Sequence, residues 1–256
     1  MTTVVLGAIE VRKRTRLAGL HVFLASLRHH APDVTVALVN RSPANPELEL
    51  LLTRYHVESV APTAGAAFSI EVGRFLDYGT WLAGRTADTV VLADVLDVAW
   101  QGHPMHLVTG TGLTVAQENI QIRACPFNSR WVREQLPEDD AADLLDWPAT
   151  CCGVLAGRRV AVARYLSTYA DRVAVFGRLA ALRGFDTTTL LRYLSHSDGA
   201  RLLPYANPAI AHLGYADPAT TRWDGAHVWS AGRMAVAVHQ YNRHPAVQTA
   251  LEAKWI

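Results

Sequence analysis

Residues 90–104 constrain the fold of this chain more than any other stretch. They open with an apolar run of strand length, residues 90–93, which follows two polar residues. Such a run is typical of a central strand in a parallel sheet, where both faces are buried. Two carboxylates, Asp94 and Asp97, come directly after it. Because ligands of open α/β sheets bind at the carboxyl ends of the strands, this pair predicts a site for a divalent cation.

A structural alternative exists for these carboxylates. An aspartate that follows a strand is often a helix N-cap or a turn former, and for a single aspartate we would prefer that interpretation. Here two aspartates lie three residues apart and are followed by Trp100 and Gln101. The pair favours a functional site, but the spacing by itself leaves the alternative open.

Composition narrows the class of protein. The chain has 256 residues, of which 50% are hydrophobic, enough for one large α/β domain or a core domain with a small subdomain. A formal net charge of +1 argues against nucleic acid or an anionic membrane as partner. Neither a signal peptide nor a run of transmembrane length is visible, so we expect a cytoplasmic protein without integral membrane association. The three cysteines fit neither a disulfide framework nor a zinc site, and we expect small buried side chains.

Alternating strand and helix patterns predict a mostly parallel, Rossmann-like α/β sheet flanked by helices. Residues 195–224 are expected to be irregular and are interpreted as an acceptor-binding lid, and the acidic residues 137–140 are expected to form a solvated loop. Besides residues 90–93, the predicted strands are 2–9, 34–39, 57–60, 113–118, 149–157 and 234–238, and the predicted helices are 17–27, 47–55, 67–83, 127–135 and 158–182.

Two charged features lie at predicted strand ends. A basic cluster that includes Arg12 follows the first strand, where it either clamps nucleotide phosphates or forms a solvated helix start. Glu118 ends the strand predicted at residues 113–118, where it either faces the site or starts a turn. The apolar strand predicted at 234–238 places His239 at its end in the same way.

Two segments resemble signatures of one enzyme family. Residues 92–104, LADVLDVAWQGHP, are similar to the "S-D-x-R-D-V-x-F-Q-x-D-P" form of the metal-binding motif in bacterial and plant GT-A-type glycosyltransferases. Residues 236–245, VAVHQYNRHP, resemble the closing "I-V-H-Q-Y-D-R-H" signature of the same proteins. This chain departs from the family at Leu96, His103 and Asn242, where Arg, Asp and Asp are usual.

The resemblance implies a metal-dependent glycosyltransferase of GT-A fold that moves a sugar from a nucleotide sugar to an unknown acceptor. A UDP-sugar is the implied donor, and Asp94, Asp97 and His239 are the implied ligands of Mn²⁺ or Mg²⁺. A single domain over residues 1–256 is expected, with a nucleotide-binding half of about residues 1–118 and an acceptor-side half of about 119–256. Oligomeric state and the retaining or inverting outcome are left open.

Weaker matches imply further site residues. Residues 74–78, RFLDY, match an "R-F-x-x-Y" helix pattern, and residues 149–157 resemble the strand that lines the donor-sugar pocket. Asp186 matches the acid of "G-x-D-Q", with Thr187 in place of the amide, although Asp186 would also serve as a helix N-cap. The expected catalytic residues are Asp186 and Glu118, and the expected donor contacts are Arg12, Arg74, Tyr78, Ala93, Asp94, Cys152, Gly153 and Arg243.

Two other functions stay open. The departures at Leu96, Thr187 and Asn242 allow a sugar-nucleotide-binding protein with impaired catalysis. A nucleotidyltransferase on a similar sheet is the other alternative, and it would release pyrophosphate from its donor instead of transferring a sugar.

Overall fold

A computed structural model of the protein describes residues 1–13, 15–177, 182–197 and 200–256. Arg14 of the basic cluster, residues 178–181 of the long predicted helix, and Asp198 and Gly199 of the segment predicted to be irregular lie outside the described residues. The strands are β1 (Thr3–Ile9), β2 (Thr35–Asn40), β3 (Glu58–Val60), β4 (Thr89–Ala93), β5 (Val98–Trp100), β6 (Leu113–Gln121), β7 (Pro148–Arg158), β8 (Ala200–Leu203), β9 (Ile210–His212), β10 (Thr221–Trp223), β11 (Val228–Ser230), β12 (Arg233–Met234) and β13 (Ala237–His239). The helices are α1 (Ala18–His30), α2 (Pro46–Arg54), α3 (Ile70–Ala83), α4 (Pro126–Gln135), α5 (Glu138–Leu144), α6 (Arg159–Phe176), α7 (Phe185–Ser195) and α8 (Pro245–Trp255).

A seven-stranded sheet organises the fold, in the order β3-β2-β1-β4-β7-β6-β8. Its pairings are parallel except those of β7, which runs antiparallel to both β4 and β6. This arrangement confirms the mostly parallel sheet. Since β1, β2, β4 and β6 therefore run in one direction, they end at one side of the sheet, which we call the carboxyl edge.

The strand at residues 90–93 lies where its apolar sequence predicts. All five residues of β4 are buried, and the strand occupies the middle of the sheet. Helices α1 and α2 pack on one face, where Phe23 meets Trp100 in an edge-to-face contact with ring centroids 5.9 Å apart. Helices α3, α6 and α7 cover the other face. Burial on both faces stabilises each large apolar side chain by about 1.5–3 kcal/mol and fixes the direction in which β4 delivers the residues after it.

Two small three-stranded sheets follow the large one, β10-β11-β12 and β5-β13-β9. The single strand expected at 234–238 is wrong, because the backbone changes sheets there. The N–H of Ala235 donates to the carbonyl oxygen of Val228 at 3.0 Å, whereas that of Val236 donates to Ala209 at 3.1 Å. The second piece, β13, ends at His239 between β5 and β9.

Several local predictions need correction. The acidic residues 137–140 do not form a loop, because Glu138 starts α5 and three carboxylates in its first turn favour the positive end of the helix dipole. Asp186 is not an N-cap, since Gly184 holds that position and Asp186 lies within the first turn of α7. Residues 195–224 are less irregular than expected, since they contain β8, which joins the large sheet, as well as β9 and β10.

Helix α3 starts later than expected, at Ile70, because side chains hold the preceding loop in an extended path. The guanidinium of Arg41 donates to three backbone carbonyl oxygens within residues 66–69. Asp77, which is buried, accepts three hydrogen bonds from residues 63–65. Within the described residues, no helix is both long enough and apolar enough to cross a membrane.

Candidate active site

Three side chains with metal-binding atoms meet at the carboxyl edge. The Nε2 atom of His239 lies 3.6 Å from an oxygen of Asp94 and 3.6 Å from an oxygen of Asp97. The ligand atoms of the three residues all lie within 4.8 Å of one another. His239 is 1% exposed, whereas the two carboxylates keep part of their surface in solvent. The group is therefore open on the carboxylate side and closed behind the imidazole.

Two backbone hydrogen bonds and one sharp turn hold these residues in place. The N–H of Asp94 donates to the carbonyl oxygen of Gly153 at 2.8 Å, which extends the pairing of β4 with β7 past the end of the strand. The N–H of Gln240 donates to the carbonyl oxygen of Asp97 at 2.9 Å. Gln240 has a φ of 62°, so the chain turns sharply after His239. The side chain of His239 therefore stays at the end of β13.

Gly153 lies under the His239 ring. A Cβ atom at Gly153 would come within 2.3 Å of both Cε1 and Nε2 of His239, far inside contact distance. The imidazole thus occupies the space that any other residue would need for its side chain. The strand match at residues 149–157 includes Gly153, and the structure gives the reason for glycine at that place.

A second histidine supports the first from behind. The Nδ1 atoms of His212 and His239 are 2.9 Å apart, and both side chains are buried. One Nδ1 must carry the proton. If Nε2 of His239 is to offer a lone pair to a cation, its Nδ1–H donates and His212 accepts. Burial lowers the pKa of His212 to about 3, so this ring is neutral and able to accept.

The sequence interpretation missed His212, although a signal was present. Residues 210–212, Ile-Ala-His, repeat the pattern of residues 237–239, Ala-Val-His, and the two short strands pair in parallel with His212 opposite His239. Two apolar residues followed by histidine, occurring twice in the second half of the chain, could have indicated a histidine pair. The parallel register that joins them is a long-range property.

Arg74 links Asp94 to Asp186 on α7 through two ion pairs. Arg74 on α3 forms a close ion pair with Oδ1 of Asp94, and its other terminal nitrogen lies 3.5 Å from Oδ2 of Asp186. The Arg74 side chain is 13% exposed, so these contacts are poorly screened by solvent. Oδ1 of Asp186 accepts from the N–H of Thr187 at 2.9 Å. Arg74 therefore fixes one oxygen of Asp94 and leaves the other, Oδ2, facing His239.

The charges of this group move the pKa values in opposite directions. Burial alone would raise the pKa of Asp94, but Arg74 and His239 outweigh it and hold that pKa far below its ordinary value. For Asp97, burial and the nearby Asp94 raise the pKa. Burial would lower the pKa of His239, yet the carboxylates of Asp97 and Asp94 raise it above its usual value. The two carboxylates thus hold a proton on His239 more tightly than water would, and a cation that needs the Nε2 lone pair must displace that proton.

Other expected site residues lie around this group. Glu118 is buried on β6, and burial raises the pKa of its carboxyl group. The charge of Arg243 acts on the carboxyl groups of Asp97 and Glu118. Cys152 is buried near Asp186, and burial raises the pKa of its thiol well above the usual value, so it is not a thiolate nucleophile.

Three expected donor contacts have a different environment. Tyr78 is a core residue on α3, 1% exposed, with its ring in an edge contact with Phe75. Ala93 is the buried last residue of β4. Arg12 follows β1 at the carboxyl edge, but its guanidinium is paired with Glu10 and is not in contact with the Asp94 group. All three cysteines are free; Cys125 and Cys152 are buried as expected, and Cys151 is partly exposed.

The donor set fits a divalent cation. Two carboxylates and one neutral imidazole, with ligand atoms within 4.8 Å of one another, can surround an ion whose metal–oxygen distances are about 2.0–2.6 Å. Oxygen-rich sites with one imidazole suit Mn²⁺ better than Mg²⁺. His212 behind His239 can orient the ring, as partners of ligating imidazoles commonly do, and glycine at position 153 leaves room for the ring.

We expect the thermal stability of the metal-free protein to fall as the pH rises through the pKa of His239. Because this pKa is raised in the folded state, protonated His239 stabilises the fold below its unfolded pKa of about 6.5, and that stabilisation is lost above the folded value. Mn²⁺ needs the Nε2 lone pair, so the gain in melting temperature with Mn²⁺ should grow over the same range. Melting curves with and without Mn²⁺, from about pH 5 to about pH 9, measure both slopes.

The matched variant for this experiment is His239→Gln, which cannot bind a proton in this range. Both slopes should flatten in the variant. If wild type and variant give the same two profiles, His239 is neither the titrating group nor a metal ligand.

No protein-family model matches the sequence, and no curated protein matches it. The structure does match a solved one, the galactosyltransferase LgtC in complex with donor and acceptor sugar analogs. The TM-score is 0.61, and the match covers 98% of this chain and 96% of that chain at 12% sequence identity. At this identity the likeness shows the fold alone. The chain therefore has the α/β fold of the GT-A glycosyltransferases, as the sequence motifs predicted.

Proposed function

We propose that this protein is a metal-dependent glycosyltransferase that uses a nucleotide sugar, with a UDP-sugar as the expected donor. One observation carries the proposal: Asp94, Asp97 and His239 bring together atoms that could hold a metal ion, at the carboxyl edge of a GT-A sheet, where ligands of open α/β sheets bind. The similar solved structure holds donor and acceptor sugar analogs, which supports this reaction class.

The chemistry concerns the leaving group. The bond between the anomeric carbon and the diphosphate oxygen breaks, and its electron pair departs with the nucleoside diphosphate. An acceptor hydroxyl oxygen forms the new bond to the anomeric carbon and passes its proton to a base, for which Glu118 is the proposed acceptor-side carboxylate. When bound, a divalent cation neutralises the charge that grows on the diphosphate. Asp94, Asp97 and His239 would hold the cation, and the partly exposed carboxylates would leave room for the donor on their open side.

Arg74 and Asp186 are proposed to orient the donor sugar. Arg74 is tied to Asp94 and Asp186 at the same time, so its guanidinium is fixed beside the metal group. A fixed guanidinium loses little side-chain entropy when it donates to phosphate or sugar oxygens. Asp186 offers a carboxylate at the start of α7, 13% exposed, for a donor hydroxyl. On β7, Cys152 lies near Asp186 and Gly153 lies beneath His239, and Glu118 is the proposed acceptor-side carboxylate.

A panel of nucleotide sugars tests this function. With Mn²⁺ and a UDP-sugar near 100 times its Kd, the stability should rise by about 2.7 kcal/mol, a melting shift of about 5–10 °C. UDP release from the same donor should require Mn²⁺ and stop with a chelator. Binding without UDP release indicates a sugar-nucleotide-binding protein, release of pyrophosphate indicates a nucleotidyltransferase, and no shift with any donor contradicts the proposal.

A further inference from the structure

An aromatic pair lies at the carboxyl edge outside the contacts described above. Phe127 and Trp131 are one turn apart on α4, with ring centroids 6.1 Å apart and ring planes at 37°. Phe127 is 59% exposed, and Trp131 is half-buried. Single exposed apolar side chains are common on protein surfaces. The position of this pair, next to the candidate active site, is what distinguishes it.

Helix α4 stands at the top of one wall of the site. Gly153 on β7 is level with Asp94, to which it is hydrogen-bonded, whereas β7 starts at Pro148, opposite Gln121 at the end of β6. Five strand residues span roughly 16 Å, so the β6–β7 ribbon rises well above the metal group. Helix α4 begins soon after β6 ends. Its first turn therefore lies beyond the end of β6, on the same side of the sheet as the site.

Contacts on both sides join α4 to the site. The Trp131 ring packs against Gly184, where an added Cβ would lie 2.1 Å from the indole, and Gly184 is the N-cap residue of the helix that carries Asp186. On the other side, Sγ of Cys125 lies 3.6 Å from the hydroxyl oxygen of Tyr215. The charge of Glu118 also acts on Tyr215, which places this loop near the acceptor-side carboxylate.

Building on the proposed function, we propose that Phe127 and Trp131 form the acceptor-binding platform and that the acceptor is a carbohydrate. A pyranose ring has an apolar C–H face and a rim of hydroxyl groups. The negative face of an aromatic ring attracts C–H groups. The ring of an exposed phenylalanine can offer this face to a sugar without prior rearrangement. The hydroxyl rim would then reach the polar groups lower on the wall, Glu118 and Tyr215.

The platform also supplies a link to the donor side. Because Trp131 rests on the backbone of Gly184, a sugar stacked on the pair borders the turn that positions Asp186. Acceptor and donor would thus meet between α4 and the start of α7. Such an opening, apolar on one side with convergent polar groups on the other, is typical of small-molecule sites.

The test compares Phe127→Ala with Leu50→Ala, a control on α2 that removes an equally exposed side chain (67% exposed). Two reactions are followed with Mn²⁺ and UDP-galactose or UDP-glucose: UDP release without acceptor, and transfer to p-nitrophenyl galactosides, glucosides and mannosides. Phe127→Ala should raise the acceptor KM about tenfold, the loss expected for one ring-stacking contact. UDP release without acceptor should be unchanged, and Leu50→Ala should behave as wild type.

Ring retention separates stacking from general apolar contact. Phe127→Tyr should restore the wild-type KM, whereas Phe127→Leu should not. An unchanged KM in Phe127→Ala overturns the platform. A wild type that releases UDP but transfers to none of these sugars overturns the carbohydrate acceptor while leaving the proposed function intact. A wild type that releases no UDP with any donor contradicts the proposed function and the platform with it.

Discussion

Asp97→Asn should reduce Mn²⁺-dependent sugar transfer by more than about 100-fold while leaving the metal-free protein at least as stable as wild type. The amide removes the charge of one of the three side chains, Asp94, Asp97 and His239, that could hold a metal ion. In the metal-free fold, burial and Asp94 raise the pKa of Asp97, so its ionised form costs stability at neutral pH and its removal relieves that cost. Calorimetric titration with Mn²⁺ in the presence of UDP, and urea unfolding with a chelator, measure the two effects.

Asp94→Asn should lose the metal equally but change stability in the opposite direction. Asp94 is the close ion-pair partner of Arg74, and Arg74 together with His239 holds its pKa far below the usual value. Replacing it leaves Arg74 with Asp186 alone, at 3.5 Å, and breaking such a largely buried pair costs roughly 3 kcal/mol. We therefore expect both variants to lose Mn²⁺ binding, whereas in urea the metal-free Asp94→Asn protein should unfold more easily than the metal-free Asp97→Asn protein.

The control for both variants is Asp33→Asn. Asp33 is 73% exposed, contacts His103 at 3.3 Å and precedes β2, so it lies at the opposite end of that strand from the carboxyl edge. It should bind Mn²⁺ and unfold as wild type does. Full activity of Asp97→Asn at saturating Mn²⁺ would remove Asp97 from the metal group. A metal-free Asp94→Asn protein as stable as wild type would show that the Arg74 pair contributes little.

The fold could be predicted because its main determinants are local in sequence. Residues 90–93 are apolar without alternation, and a run of this length between polar residues is typical of a strand buried on both faces. The polar residues that follow it reach the carboxyl edge because strand direction fixes where they lie. Strand–helix alternation then decides that neighbouring strands are parallel. None of these steps requires knowledge of a distant contact.

The contacts within the candidate site required the folded chain. Arg74 and Asp186 are 112 positions apart in sequence, and nothing in either segment indicates that one guanidinium contacts both Asp94 and Asp186. The backbone also leaves β12 for a different sheet before it reaches His239, guided by hydrogen bonds to Val228 and Ala209. Sequence periodicity predicts each strand by itself, but it does not predict which other strand each one pairs with.

Charge patterns were ambiguous for a different reason. Residues 138–140 are all acidic, which describes a solvated loop and the first turn of a helix equally well. The helix forms because its dipole favours carboxylates at the N-terminus and because Ala141 and Leu144 give it a buried side. The preference of carboxylates for helix N-termini also suggested Asp186 as the N-cap of α7. The N-cap is Gly184, and Asp186 lies in the first turn of the helix.

Gly153→Ala should weaken Mn²⁺ binding by about 100-fold, an effect as large as loss of a group that orients a ligand. The added Cβ would lie 2.3 Å from Nε2 of His239, so the imidazole must move away from the carboxylates or the strand must shift. His239 has little freedom to move, because its Nδ1 is 2.9 Å from that of His212. Crowding of this kind also costs about 1–3 kcal/mol of folding stability. Titration calorimetry and chemical unfolding of the same preparation measure the two losses.

Gly79→Ala is the matched control. Gly79 lies within α3, and the nearest atom to an added Cβ is 3.7 Å away, an ordinary contact with Leu166. Alanine is the better helix former, so this variant should gain up to about 1 kcal/mol and bind Mn²⁺ as wild type does. In the double variant Gly153→Ala/His239→Gln, the smaller ring-free side chain removes the clash. The stability loss of the double variant should therefore be smaller than the sum of the losses of the two single variants. Wild-type Mn²⁺ affinity in Gly153→Ala would show that His239 is not held against the glycine when the metal binds, and additive losses in the double variant would show that the two residues do not act on each other.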